Sequence, residues 1–328
     1  MLRLPPFTYQ APDTLAEAAR VLAGEGPNAM LLAGGTDLIP KMKRRQITPR
    51  VLVGLRKIGE LAHVAGTPER GLAIGAGVSL TAIEMHAAIG AAYPAIREAA
   101  SVISTPQLRN AGTIGGNLCV DTRCTYYDQT FPWRKSIGFC LKKDGDTCWV
   151  APGSPKCLAV TSSDLAPVMI ALDASIELVG PHGDRRIPAA AMYQDDGIAY
   201  LAKRPDECIR RIILPPATGW RSTYLKVRRR EAFDFPILGV ALALRMDRGA
   251  IAEVRLAIGG VGSAPRAIAG AGELLNGHVP TAARYADVGQ LAYKATKSMD
   301  NTDLLPLYRK RLVPVLVQRA LAALAPLA

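Results

Sequence analysis

Histidine and aromatic residues are scarce in this chain of 328 residues, which has four histidines and an aromatic content of 5%. None of the histidines has a carboxylate or cysteine neighbour at ligand spacing, and no GxSxG motif is present. A metalloprotease and a Ser-His-Asp hydrolase are therefore disfavoured. The formal charge of +12 comes from scattered Lys and Arg residues without a nucleic-acid-binding motif. An acidic protein partner fits this net positive charge better than a nucleic acid does.

No apolar run is long enough to cross a membrane. The most apolar stretch near the end, residues 312–328, is interrupted by Pro314, Gln318, Arg319 and Pro326, which predicts an amphipathic helix. No secretion signal with a charged region followed by an apolar one is recognisable. We therefore expect a cytoplasmic protein without a membrane segment, in which the 49% of hydrophobic residues form the cores of two or three compact units.

Cysteine is confined almost entirely to one stretch. Five of the six cysteines lie between Cys119 and Cys157, while Cys208 stands alone in a predicted strand, where an inert buried thiol is expected. In a chain without a secretion signal, clustered cysteines indicate metal or redox chemistry more often than disulfides. Spacing alone leaves zinc, an iron–sulfur cluster and unligated buried thiols as alternatives, since zinc ribbons and ferredoxins do not separate their cysteines so widely.

A glycine pair follows the first predicted buried strand, at 28–33. This strand runs directly into Gly34, Gly35, Thr36 and Asp37, and a helix follows. Such a junction directs free backbone N–H groups and the positive end of the helix at one point, which is a common way to hold phosphate. The loop has neither a Walker lysine nor a GxGxxG motif. An ordinary strand-turn-helix junction, with Asp37 as a helix cap, is the alternative.

A second glycine-rich loop occupies residues 112–117. Gly112, Gly115 and Gly116 allow positive φ and close approach to a ligand, and Thr113 and Asn117 add short polar side chains. This combination suits the oxygens of a phosphate or a ribityl chain. An ordinary glycine-rich turn is the alternative.

Apolar periodicity predicts a mixed α and β chain with a domain boundary at 215–219. The segment between the two ends of the cysteine cluster has neither helical nor strand period. Beyond the boundary, we expect a small domain of antiparallel strands with helices on one face. The predicted helices are at 13–23, 81–104 with a break at Pro94, 165–172 and from 265 to the end, and the predicted strands are at 51–55, 72–78, 175–179, 208–214, 222–227, 237–246 and 251–258.

Four motifs occur in order along the chain, LAGGTDL at 32–38, GTIGGN at 112–117, SDLAP at 163–167 and KVRRREAFD at 226–234. Together they resemble the FAD-binding medium subunits of the xanthine dehydrogenase and carbon monoxide dehydrogenase family of molybdenum hydroxylases. The resemblance implies an α+β fold. It places a PCMH-type FAD-binding region of two α+β subdomains at 1–57 and 58–216, followed by a C-terminal α/β domain of the CO dehydrogenase flavoprotein type at 217–328.

The resemblance also implies a set of FAD-binding residues. The first motif would wrap the pyrophosphate, the second would contact the phosphate and ribityl side, and Asp164 and Lys226 would lie near the flavin. A cation such as Lys226 would favour the anionic reduced flavin, so we expect Lys226→Ala to lower the flavin midpoint potential. The implied residues are Leu31, Leu32, Ala33, Gly34, Gly35, Thr36, Asp37, Leu38, Thr105, Gly112, Thr113, Ile114, Gly115, Gly116, Asn117, Asp164 and Lys226.

The cysteine segment departs from most medium subunits of this family. Residues 122–162 form an insertion that resembles that of the 4-hydroxybenzoyl-CoA reductases, with the spacing C-x15-C-x7-C-x8-C at Cys124, Cys140, Cys148 and Cys157. The resemblance implies a [4Fe–4S] cluster on these four thiolates. Cys119 is then surplus and is expected to pack at the end of the flavin loop.

Electron transfer inside a larger complex is the function that the resemblance implies. Reduced ferredoxin would supply electrons through [4Fe–4S] and FAD to a [2Fe–2S] small subunit and a molybdopterin large subunit, where 4-hydroxybenzoyl-CoA is dehydroxylated to benzoyl-CoA. An (αβγ)2 heterohexamer is implied. Lys135, Lys142, Lys143 and Lys156 would attract an acidic ferredoxin. The alternatives are another molybdenum hydroxylase, of the xanthine, CO or aromatic heterocycle type, with the same insertion, and a zinc-stabilised scaffold without flavin.

Overall fold

The computed structural model of the protein describes residues 2–327 and contains three β-sheets, each covered by helices. Helices and sheets occur together in every part of the chain, so the predicted α+β fold class is confirmed. The strands of each sheet fall within one of the predicted domains 1–57, 58–216 and 217–328. The end positions 1 and 328 of those domains lie outside the described residues.

A parallel sheet of three strands, in the order β1-β3-β2, forms the first unit. The side chain of Thr14 accepts a hydrogen bond from the N–H of Glu17 and so caps the first helix. Strand β3 is buried along its whole length, as its continuous apolar sequence predicts. The elements are β1 Thr8–Gln10, α1 Leu15–Glu25, β2 Ala29–Leu32, α2 Leu38–Lys43 and β3 Val51–Gly54, with a short 3₁₀ helix at Gly26–Asn28.

An antiparallel sheet of five strands, in the order β4-β5-β8-β6-β7, forms the second unit. Its apolar face shares one core with the helices that cover it and with the first sheet. The elements are β4 Val64–Thr67, β5 Gly71–Gly75, α3 Leu80–Met85, α4 Ala87–Ala92, α5 Pro94–Ser101, α6 Pro106–Arg109, α7 Ile114–Leu118, α8 Phe131–Ser136, α9 Leu165–Ala171, β6 Ser175–Gly180, β7 Gly183–Pro188 and β8 Cys208–Ile213, with 3₁₀ helices at Gly59–Leu61 and Ala189–Met192.

The third unit is an antiparallel sheet in the order β12-β11-β10-β9 with a separate core. Its longest helix covers most of the apolar run near the end of the sequence, where a helix was expected, and includes Pro314. Within residues 2–327, no helix is long and apolar enough to span a bilayer. The elements are β9 Trp220–Val227, β10 Leu238–Asp247, β11 Ala250–Gly259, β12 Arg266–Ala267, α10 Ala271–Leu275, α11 Ala282–Ala295 and α12 Pro306–Leu324.

Most predicted elements lie within a few residues of the observed ones, but the stretch predicted as helical from 265 onward contains strand β12 and three separate helices, α10, α11 and α12. The stretch 81–104 is three short helices rather than one broken helix, because the chain also bends at His86. Helix α8 lies inside the cysteine segment, where no helix was predicted. Strands β1, β4 and β7 were missed because they are short edge strands that leave most of their side chains exposed.

Candidate functional site

The first glycine loop lies between β2 and α2, as predicted. Gly35 has a φ of +72°, a left-handed conformation that glycine adopts at low cost. None of the backbone N–H groups of residues 34–37 donates a hydrogen bond to another group of the described chain. Four neighbouring donors at the start of a helix fit a phosphate group. Phosphate binding at this loop stays a prediction.

The two glycine loops are in contact with each other. A Cβ atom on Gly34 would lie 2.0 Å from the carbonyl oxygen of Ala111, and one on Gly112 would lie 3.6 Å from the Thr36 hydroxyl. No side chain larger than hydrogen fits at position 34 unless the second loop moves. Two segments 77 residues apart in sequence, at Gly34 and Ala111, thus form one continuous backbone surface, as a shared ligand requires.

The second loop differs from the expectation in its backbone donors. The N–H groups of Ile114 and Gly115 donate to Val78 and Ala76, and that of Gly116 donates to the Thr113 hydroxyl. Gly115 also packs so closely that a Cβ would lie 2.7 Å from the Ala76 side chain. These three N–H groups are used in hydrogen bonds within the protein. The second loop therefore lacks the array of free donors seen at 34–37.

Two of the predicted binding residues in this region stabilise the fold through their side chains. Thr105 caps helix α6 by accepting from the N–H of Leu108. Asn117 accepts from the Ser163 hydroxyl at 2.8 Å and from the N–H of Leu165 at 3.2 Å. The second loop is therefore tied to the start of helix α9, which begins directly after the predicted residue Asp164.

Asp37 does not act as a helix cap, which was the alternative suggested by its position. No capping hydrogen bond comes from its side chain, which instead forms an ion pair with Arg123. The Arg123 guanidinium also stacks over the ring of Phe235, at 3.6 Å from the centroid. The first loop is thus connected to the start of the cysteine segment and to the loop that follows β9.

Asp164 and Lys226 form a buried ion pair next to the second loop. The Lys226 ammonium lies 3.1 Å from the Asp164 carboxylate, and the Tyr224 hydroxyl donates to the same carboxylate at 2.8 Å. Both charged side chains are almost fully buried. Burial raises the pKa of Asp164 and lowers that of Lys226, and the attraction between the two charges opposes both shifts. Lys226 is consequently a compensated cation, unlike the free cation that the sequence suggested.

The four cysteines of the 122–162 insertion converge on one pocket, and all four are buried. The ends of the segment are joined where Arg123 and Val160 exchange two backbone hydrogen bonds of 2.8 and 2.7 Å, which brings Cys124 towards Cys157. A second connection, from the N–H of Leu141 to the carbonyl of Thr147 at 2.8 Å, brings Cys140 towards Cys148. Residues 33 positions apart in sequence therefore line one small apolar pocket.

The spacing of the four cysteines bears on which metal group the pocket could hold. Four thiolates around one zinc ion lie about 2.3 Å from it and so converge tightly. Among residues 2–327, no group of three or more His, Cys, Asp or Glu side chains is close enough to hold one metal ion. Thiolates on the corners of an iron–sulfur cube stand farther apart, because iron and sulfide lie between them. The N–H of Ala159 also points at the Cys157 sulfur, at 3.4 Å.

The remaining two cysteines occupy the positions that the sequence predicted for them. Cys119 packs against the main core, and Cys208 is fully buried in β8. Burial raises the pKa of the Cys208 thiol to about 11. At neutral pH this thiol is protonated and therefore unreactive.

Three of the four lysines predicted to attract ferredoxin are paired with aspartates in the structure. Lys142 is buried and pairs with Asp121 at 2.8 Å, so it is not a surface charge. Lys143 pairs with Asp144, and Lys156 with Asp195, both at 3.0 Å. Lys135 is exposed. Surface pairs of this kind leave a weaker positive field than four free lysines would.

Three residues that sequence reasoning did not single out, Asp121, Gly197 and Asn301, support the cysteine pocket. Asp121 forms a partly buried ion pair beside it with Lys142. A Cβ on Gly197 would lie 2.7 Å from the Cys157 sulfur. Asn301, from the C-terminal unit, donates to the carbonyl of Leu158 and accepts from the N–H of Thr125. Of these three residues, only Asp121 could have been found from the sequence, because it is charged and lies close to predicted cysteine ligands.

Comparison with known proteins gives consistent matches along the chain. The family described as the FAD binding domain in molybdopterin dehydrogenase matches residues 5–217, and the CO dehydrogenase flavoprotein C-terminal domain matches residues 222–324. The aldehyde oxidoreductase FAD-binding subunit PaoB of Escherichia coli K12 is 33% identical over 95% of this chain and 98% of that protein. The carbon monoxide dehydrogenase medium chain of Afipia carboxidovorans is 32% identical over 83% of this chain and 80% of that one.

The fold comparison agrees with the sequence matches. Carbon monoxide dehydrogenase from Hydrogenophaga pseudoflava contains a chain that superimposes with a TM-score of 0.80 at 26% identity, covering 99% of this chain and 100% of that one. Fold and site together define an FAD-binding oxidoreductase subunit. The chain belongs to the FAD-binding medium subunits of the xanthine dehydrogenase and carbon monoxide dehydrogenase family of molybdenum hydroxylases.

Proposed function

We propose that this protein is an electron-transfer subunit that holds both FAD and a [4Fe–4S] cluster. The observation that carries the proposal is the convergence of Cys124, Cys140, Cys148 and Cys157 on one buried pocket. Four thiolates complete the ligand set of a cubane. When bound, the cluster supplies one-electron chemistry, and the flavin joins one- and two-electron steps.

For FAD, we propose that the loop at 34–37 binds the pyrophosphate through its free backbone N–H groups. Residues 31–33 and Leu38 flank this loop, and residues 112–117 form the adjoining wall. We place Thr105, Asp164 and Lys226 on the flavin side of the site, as the resemblance implies. Since the Lys226 charge is compensated by Asp164, its effect on the flavin potential is expected to be smaller than that of a free cation.

Electrons for the complex are proposed to come from reduced ferredoxin. This chain would receive them at the cysteine segment and deliver them towards a [2Fe–2S] small subunit and a molybdopterin large subunit. An (αβγ)2 heterohexamer is the assembly that the resemblance to the reductases implies. The exposed aromatic side chains Phe131, Trp133 and Trp149 of the segment, together with Lys135, offer a contact surface for such a donor.

For the reaction of the complex, we propose reductive dehydroxylation of 4-hydroxybenzoyl-CoA. The supporting observation is the C-x15-C-x7-C-x8-C spacing, which resembles that of the reductases. The second candidate is aldehyde oxidation, in which electrons leave the complex through this chain. It is favoured by the 33% identity to an aldehyde oxidoreductase subunit over almost the whole of both chains.

The two candidates are separated by assaying the complex purified with its partner subunits. A reductase consumes 4-hydroxybenzoyl-CoA when reduced ferredoxin or a low-potential viologen is supplied, and it forms benzoyl-CoA. An aldehyde oxidoreductase instead reduces an electron acceptor when aromatic aldehydes are added. Turnover of aldehydes without any benzoyl-CoA formation would contradict the reductase assignment and support the second candidate.

A further inference from the structure

A chain of buried charges connects helix α2, next to the first glycine loop, with the cysteine pocket. The Lys41 ammonium lies 2.7 Å from one oxygen of the Asp121 carboxylate, and the Lys142 ammonium lies 2.8 Å from the other. The two lysine side chains are 5% and 6% exposed, and that of Asp121 is 18% exposed. Buried lysines are rare and need compensation. Since one carboxylate faces two ammonium groups, these three side chains together carry a net positive charge.

Lys142 faces the cysteine pocket directly. It lines the cavity with the four cysteines, and its ammonium donates to the Thr122 hydroxyl at 2.8 Å and to the carbonyl of Gly197. Gly197 in turn lies against Cys157, to whose carbonyl its N–H donates at 2.9 Å. The positive charge is therefore held in place beside one of the proposed ligands.

The ring of Tyr127 lies close to both ammonium groups of the network. Lys41 is 4.7 Å and Lys142 is 5.0 Å from the centroid of its ring. Tyr127 also lines the cysteine pocket and is 2% exposed. Hence water is largely excluded around these charges, and their fields act over longer distances than charges at the surface.

We propose that Lys41, Asp121 and Lys142 form an electrostatic network that sets the reduction potential of the cluster held by the four cysteines. The inference rests on the proposed cluster. Reduction adds a negative charge to the pocket, so a fixed positive charge beside it stabilises the reduced state and raises the potential. Asp121 moderates this effect, because its carboxylate opposes the two lysines. These three are positioning residues that act through charge and make no bond to the cluster.

The test is a redox titration of the purified holoprotein in complex, monitored by EPR at constant pH. Lys142→Met removes the nearest positive charge at similar side-chain length, and we expect the equilibrium constant for reduction to fall about tenfold, or about 59 mV for one electron. Asp121→Asn removes the opposing charge and should raise the potential. Lys142→Arg retains the charge and should stay near the wild-type value. Lys143→Met is the matched control, since Lys143 is the adjacent residue and lies at the surface, 37% exposed.

A fall in the reduction potential in Lys142→Met and a rise in Asp121→Asn, with little change in Lys143→Met, would support the inference. Structural damage alone would not shift the potentials of the two variants in opposite directions. If Lys142→Met fails to retain iron, the rise in Asp121→Asn decides the question. Shifts of the same sign, or no larger than the control, would overturn the network while leaving the cluster in place. Lack of iron and sulfide in the wild-type protein would instead overturn the proposed cluster and this inference together.

Discussion

At the scale of single residues, the cysteine pocket depends on a glycine that lies 40 residues beyond the last ligand. Gly197 has no space for a side chain, because a Cβ would lie 2.7 Å from the Cys157 sulfur and 2.8 Å from the Ala159 nitrogen. Its carbonyl accepts from Lys142 and from the Thr122 hydroxyl. One small residue thus holds both a proposed ligand and the charge beside it.

We expect Gly197→Ala to displace Cys157 and to lower the iron content of the purified protein by more than half. Overpacking of this kind costs about 1–3 kcal/mol, and here the nearest atoms are a ligand sulfur and backbone. FAD should remain at the wild-type level. Iron and flavin are measured per chain after anaerobic purification.

Gly153→Ala is the matched control for that substitution. Gly153 lies in the same cysteine segment, and a Cβ there meets nothing within 4 Å. This variant should keep its iron. Equal iron in Gly197→Ala and the wild type would mean that the pocket adapts to the added methyl group, and the packing argument would be wrong.

The sequence predicted the residues whose chemistry stands out and missed those whose role depends on burial. Clustered cysteines and glycine pairs are visible as patterns. Lys142 was taken for a surface charge because lysines are mostly exposed; the fold buries it against Asp121. Gly197 follows two aspartates and reads as an ordinary turn, and its contact with Cys157 follows from tertiary structure alone.

At the scale of elements, the cysteine segment is held from outside by the stretch that precedes helix α12. Asn301 is 2% exposed and connects the two ends of the segment, through Leu158 beside one cysteine and Thr125 beside another. Arg309, fully buried in α12, donates to the Asn301 side chain at 3.3 Å and to the carbonyl of Gly260 at 2.7 Å. The C-terminal unit thereby fixes the geometry of a pocket to which it contributes no ligand.

Asn301→Ala should loosen this connection and make the cluster more labile. The substitution leaves the Leu158 carbonyl and one Arg309 donor without this partner, at a cost of about 1–3 kcal/mol. We expect faster loss of the cluster absorbance on exposure to a chelator, with FAD retained. Asn276→Ala is the control, because Asn276 is exposed in the same unit. Identical rates of loss in both variants would show that the clamp does not stabilise the pocket.

Elements with a regular apolar period were predictable, and the cysteine segment was not. Strand β3 and the first seven residues of β10 are continuous apolar runs whose burial follows from their sequence. The segment at 122–162 packs around its own pocket and against neighbouring units, so its side chains follow no helical or strand period. Helix α8 within it has six residues, too few to establish a period.

At the scale of the whole molecule, the proposed sites lie where the three units meet. The two glycine loops come from the first and second units and touch at Gly34 and Ala111. Strand β9 of the third unit contributes Lys226 to the buried pair with Asp164. The cysteine segment is joined to the first loop through the ion pair of Asp37 with Arg123. This arrangement suits a protein that passes electrons between two bound groups.

The central claim is that one chain holds both FAD and a [4Fe–4S] cluster. The most direct test is to purify the protein anaerobically, measure iron, zinc, acid-labile sulfide and flavin, and record the EPR spectrum after dithionite reduction. We predict about four irons and one FAD per chain, with a reduced-cubane signal that disappears in Cys140→Ser. Flavin with zinc or without metal would contradict the account, and the cysteine segment would then be structural.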